Sequence, residues 1–119
     1  MYIRLLILSI LLLLFACNNT ENNMQVNTPF QVAIDAMGKD FQIEISNLNI
    51  SQELSAVGSP NSAKVTIEQL SLLDDSISAI KDIFVLSFDH GQWIIQERNT
   101  LYKCYHGREP NAFSSALCK

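Results

Sequence analysis

The chain has 119 residues, 48% of them hydrophobic, with eight basic and twelve acidic side chains and a formal charge of −4. That length suits one small domain and not two. The acidic balance argues against nucleic acid, whose phosphates are bound through clustered Lys and Arg, and a charge of this size keeps a small protein soluble.

Arg4 is the only charged side chain before Glu21, and Leu5 to Ala16 is apolar apart from Ser9. A helix needs about 20 apolar residues to cross a bilayer, so this run is short for a span. A basic start, a short apolar run and a small residue before the cleavage point describe a removed signal instead. Leu14-Phe15-Ala16-Cys17 closes the run. Together with Met1 to Arg4 it resembles the signal peptide and lipobox of a bacterial lipoprotein. The resemblance implies loss of residues 1–16, with Cys17 becoming the first mature residue and carrying acyl chains. One such chain anchors marginally, and two or more anchor stably. Asn18, rather than Asp, after the cysteine implies the outer membrane, with the protein facing the periplasm. Asn18 to Thr28 holds five Asn and little that is apolar. It cannot bury enough surface to offset its ordering entropy, so residues 17–28 read as a lipidated, flexible tether.

Thr28-Pro29-Phe30-Gln31 predicts a helix start. Thr28 caps, Pro29 suits the first helical position and Gln31 completes a capping box. Phe30, Ala33, Ile34 and Met37 share one face, and Gly38 ends the helix. Phe41, Ile43 and Ile45 alternate with Gln42, Glu44 and Ser46, as in a half-buried strand. Asn47 to Ala63 reads as a loop turning at Gly58-Ser59-Pro60-Asn61, with one helical turn near Gln52 to Ala56. Residues 64–88 carry two periods. Val65 and Ile67 alternate, and Asp74-Asp75 can turn the chain into a second strand through Phe88. Ile67, Leu70, Leu73, Ile77, Ile80 and Phe84 also fit helical spacing, with Thr66 and Gln69 as a capping box. β-branched content and the alternation of Phe84, Leu86 and Phe88 favour strands, while residues 66–73 stay open between helix and strand. Asp89-His90-Gly91-Gln92 is a tight turn. It pairs Phe88 with Trp93 and Leu86 with Ile95, so Phe84, Leu86, Phe88, Trp93 and Ile95 share the core face.

With Cys17 given to lipid, Cys104 and Cys118 remain, and in an oxidising compartment a disulfide between them is the default. A loop of this size gains about 3 kcal/mol from closure. The chain here also resembles an uncharacterised family of small exported bacterial proteins. The matching residues are Asp74-Asp75-Ser76, Trp93, Tyr102-Lys103-Cys104, Gly107-Arg108, Phe113-Ser114 and Cys118, spread over residues 64–119. The family often follows Gly-Arg with Gly-His, whereas this chain has Glu109-Pro110. The resemblance implies the disulfide and an extracytoplasmic location, and brings no activity with it.

Catalytic chemistry finds little to build on. His90 and His106 are the only histidines, one in a turn and one inside the disulfide loop, and neither has local partners at metal-ligand spacing. No Gly-x-Ser-x-Gly elbow and no unpaired Cys supplies a nucleophile. Ser114 and Ser115 beside Arg108 and His106 lie in one short loop that cannot wall off a pocket. Asp74 and Asp75 read as solvated turn acids. Tyr102, Lys103, Tyr105, Arg108 and Phe113 are the stronger binding candidates, because Arg and Tyr anchor interfaces and a stapled loop loses little entropy on binding. The competing role for Arg108 is to brace its own loop.

The sequence thus predicts a signal peptide over 1–16, a tether over 17–28 and one small α+β domain over 29–119. In that domain a short N-terminal helix packs on an antiparallel β-meander that ends in a disulfide-closed loop. The expected role is that of a non-catalytic envelope lipoprotein, membrane-bound through its lipid, without cofactor or metal, binding a protein or envelope component through the loop. The alternative is an inhibitor of an exported hydrolase such as a lysozyme.

Overall fold

The computed structural model describes residues 27–119. The expected signal peptide, the expected lipidation site at Cys17 and the expected tether up to Val26 lie outside the described residues. The elements are helix α1 (Pro29–Met37), then strands β1 (Asn47–Leu54), β2 (Ser62–Leu70), β3 (Ile77–Asp89) and β4 (Gln92–Cys104). The strands form one antiparallel meander in the order β1-β2-β3-β4. One helix on a four-stranded sheet is an α+β arrangement weighted towards β.

The helix forms as its sequence dictates. Thr28 has extended backbone, and its hydroxyl accepts from the Gln31 N–H at 3.1 Å. Gln31 does not close the capping box; its amide reaches forward to Asp35 Oδ1 at 2.8 Å. Gly38 ends the helix at φ 87°, and its N–H donates to the Asp35 carbonyl. The Phe30 N–H donates to Gln52 Oε1 on β1, while the Ala36 carbonyl accepts from Arg98 on β4. The helix therefore crosses one face of the sheet obliquely. Beneath it Ala63, Val65 and Ile67 of β2 meet Phe84 and Leu86 of β3, and Ala33 seals them from above. Burying each of the larger of these side chains contributes about 1.5–3 kcal/mol.

Two expectations fail between residues 41 and 63. Phe41 to Ile45 is not a strand. Gln42 sits at φ 65°, the Phe41 and Ile43 N–H groups close turns onto Gly38 and Asp40, and Ile43 and Ile45 are 70% and 88% exposed. Alternation earns a ladder only where a strand lies alongside, and here the chain is recrossing the end of the sheet. Asn47 to Leu54, expected as loop and helical turn, is β1, paired with β2 without a register break. Leu48, Ile50, Gln52 and Leu54 lie on the helix-bearing side, opposite Gln69, Ile67, Val65 and Ala63. The Ser55 N–H donates to the Ser62 carbonyl. By the alternation of an antiparallel ladder, the backbone groups of Leu48, Ile50, Gln52 and Leu54 then point off the sheet edge.

The strand reading of 64–88 holds, including the reversal at Asp74-Asp75. Asp74 Oδ1 accepts from the Ser76 and Ile77 N–H groups, each at 2.8 Å. The hairpin keeps the expected pairs, Phe88 with Trp93 and Leu86 with Ile95, with an irregularity between Val85 and Leu86. Its two loop residues have positive φ, His90 at 48° and Gly91 at 79°, the geometry that matches strand twist. Phe88 departs from its expected core place. It is 41% exposed, because it lies at the end of the sheet with the Trp93 ring, 5.2 Å away, as its main cover.

Candidate functional site

The two ends of the sheet differ in chemistry. One end holds the β1–β2 loop, the His90-Gly91 turn and the start of the helix. The other holds the β2–β3 turn, the chain that leads into β1 and everything after Cys104. Along β4, Trp93 and Cys104 stand about 35 Å apart.

At the second end Cys104 and Cys118 are joined, with Cα atoms 5.7 Å apart. The loop between them is also held by backbone bonds. Tyr102 and Ser114 exchange a pair at 2.7 and 2.9 Å, and the Cys104 N–H donates to the Pro110 carbonyl at 2.9 Å. The five binding candidates divide between bracing and exposed roles. Tyr102 is half-buried and supplies the backbone bridge. Tyr105 ties the loop to the β2–β3 turn, its N–H donating to the Ser76 carbonyl and its hydroxyl to the Leu72 carbonyl. Phe113 is half-buried, with the Lys81 ammonium 4.1 Å from its ring centre on the face away from the helix. Lys103 and Arg108 are exposed.

Beside this loop lies a cleft of about 420 Å³. Ile43, Leu73 and Ile80 give it apolar walls, and Asp40, Glu44 and Asp74 give it carboxylates. The Ile77 and Ser76 N–H groups hold the Asp74 carboxyl below the usual range, with the charge of Arg108 adding to the effect. Asp74 is thus fixed as an anion by the turn it builds.

The site residues that sequence reasoning missed lie under the helix. Asp82 is 2% exposed. Its Oδ1 accepts from Arg98 Nε at 2.9 Å and from the Thr100 hydroxyl at 2.7 Å. The Arg98 guanidinium lies 5.0 Å from the Phe84 ring centre and reaches the Ala36 carbonyl at 3.1 Å. A cation at the last turn of a helix also suits its dipole. The group is a clamp whose carboxylate is buried while the Arg98 side chain stays partly exposed at the end of the helix. Its signal was present, because Asp82 has the parity of Phe84 and Leu86 in β3 and so had to face the core.

At the first end, the Asn27 side chain pairs with the backbone of Trp93. Its Oδ1 accepts from the Trp93 N–H at 3.0 Å, and its amide donates to the Trp93 carbonyl at 3.3 Å. Asn27 and Thr28, expected as the last residues of the flexible tether over 17–28, are thus already fastened to the domain. Here Gly58, Pro60, Phe88 and Trp93 line a second hollow of about 420 Å³. The neighbouring Val57 side chain is fully exposed and Leu54 is 47% exposed.

Among the described residues no three His, Cys, Asp or Glu side chains gather as a metal site, and no helix is long and apolar enough to cross a membrane. His90 Nδ1 lies 2.7 Å from Asp89 Oδ1 in the hairpin turn, and His106 is exposed in the stapled loop. Comparison with family models, curated proteins and solved structures gives no match to this chain.

Proposed function

We propose that this chain is a non-catalytic lipoprotein of the bacterial envelope, anchored through Cys17 to the outer membrane and facing the periplasm. It presents the stapled end of its sheet to a protein or envelope component. The observation that carries the reading is the docking of Asn27 on Trp93, about 35 Å along β4 from the Cys104 staple. An anchor entering at one end leaves the opposite end for recognition. Lys103, Tyr105 and Arg108 supply the contact side chains there, on a loop whose conformation is fixed before binding.

The test is capture of a partner from the envelope by the acylated protein, repeated with Arg108→Ala. On this reading capture is lost, while the melting temperature barely moves, since an exposed truncation usually shifts stability by less than about 0.5 kcal/mol. Stability lost with capture intact would make Arg108 a brace and remove the loop as the working surface. Capture of an exported hydrolase whose activity falls on binding would turn the role to inhibition.

A further inference from the structure

The tether end carries an apolar tip that recognition at the other end does not use. The β1–β2 loop, residues 55–61, contains no charged side chain and ends in the fully exposed Val57. It is built stiff. The Ser55 hydroxyl accepts from the Asn61 and Ser62 N–H groups, each at 3.2 Å, and donates to Asn61 Oδ1 at 3.1 Å. The Phe88 N–H then locks Asn61 to β3 at 2.9 Å. Gly58, Pro60 and Phe88 line one hollow with Trp93, and the exposed Val57 stands next to Gly58 at the tip of the same loop, displayed without a large ordering cost.

Beside the tip Glu53 is neutralised by Lys64 at 3.0 Å. Asn18 to Val26 separate Cys17 from Asn27, and ten peptide steps reach at most about 35 Å. The aromatic end is the part of the fold that such a chain keeps beside the bilayer.

We infer that the apolar corner of Val57, Pro60 and Phe88 rests in the interfacial layer of the membrane as a second contact beside the lipid anchor, a proposal that builds on the lipid-anchored reading above. Aromatic and aliphatic side chains favour that layer, and an acyl anchor supplies the proximity that makes a small patch sufficient. The contact holds the sheet with its strands rising from the surface, so the stapled loop stands clear of the headgroups.

The sole Trp of the chain, Trp93, reports on this directly. The full acylated protein is reconstituted in phosphatidylethanolamine–phosphatidylglycerol vesicles whose acyl chains carry bromine. Bromine should quench Trp93 at least twofold relative to unbrominated vesicles. Val57→Asp should remove most of that quenching with an unchanged melting temperature and unchanged flotation, whereas Leu73→Asp at the other end should leave it intact. An unquenched wild type, or equal quenching in Val57→Asp, overturns the inference. So does a dimer cross-linked through position 57 that leaves Trp93 unquenched, because a second copy would then own the corner. Flotation and the mass of the N-terminus read the anchor separately: a floating but unquenched protein keeps the lipoprotein and loses the contact.

Discussion

The helix and the C-terminal loop both dock on the same sheet, but they are held by opposite means. The helix brings Ala33 to a continuous apolar core and is clamped at its end by Arg98, whose own charge is answered by the buried Asp82. The loop brings one half-buried aromatic, Phe113, to the far face, and relies on a covalent bond and a few backbone hydrogen bonds. The first attachment belongs to the global fold, so losing it should cost the whole domain. The second is local, and losing it should free a segment while the sheet survives.

The strongest way to break this contrast is Arg98→Ala. It leaves the Asp82 carboxylate buried without its guanidinium, which costs about 3–5 kcal/mol, and the melting temperature should fall for the whole domain in one transition. Replacing both partners by apolar residues, Asp82→Leu with Arg98→Met, should recover much of that loss, because no buried charge is left unanswered. If the single change left the melting temperature untouched, the clamp would not hold the helix.

Reduction of Cys104–Cys118 comes next: a loop that is freed in the folded as well as the unfolded chain regains its closure entropy, about 3 kcal/mol, in both, so the core keeps its own stability. Its signature should be regional. Amide exchange should rise for Tyr102, Cys104 and Ser114, whose N–H groups bond within the stapled end, while Val65 and Phe84 keep their protection. Uniform loss of protection would show the loop to be part of the global fold.

The smallest effect sharpens the comparison on the far face. Glu68 meets Lys81 at 2.8 Å and Asn49 at 3.0 Å, and the Lys81 bond holds its carboxyl below the ordinary value of 4.5. A depressed carboxyl contributes stability that is complete above its unfolded value and is lost as pH falls through the lower folded one. Thermal melts taken as pH drops below 4.5 should therefore show a steeper decline for the wild type than for Lys81→Met. Asp74, lowered from its own ordinary value of 3.8 by its turn, contributes alike in both proteins, so the difference isolates Glu68.

Local signals with one reading were legible in the sequence. Thr28-Pro29 and Gly38 bounded the helix because capping is decided within a turn, and Asp89-His90-Gly91-Gln92 set a register that carried Leu86 to Ile95. Asn47 to Leu54 was missed although Leu48, Ile50, Gln52 and Leu54 alternate with polar residues, because an edge strand buries little and its composition resembles a loop. The apparent strand at Phe41 to Ile45 was the converse error, an alternation with no neighbour to pair. At the stapled end the cysteines were readable from their count, but the division of the five candidates was not. Which of Tyr105 and Phe113 braces and which of Lys103 and Arg108 is free depends on contacts with Leu72, Ser76 and Lys81, far away in the chain.

Asn27 has a consequence beyond docking. Its side-chain amide offers Trp93 the donor and acceptor that a neighbouring strand would offer, and Ser114 does the same for Tyr102 farther along β4. That border of the sheet is occupied at both extremities, which leaves Ile94 to Leu101 between them. β1 on the opposite border has no such cover among the described residues. Asn27 and Ser114 thus shorten the length of β4 that another chain could pair with, from the full edge to Ile94–Leu101.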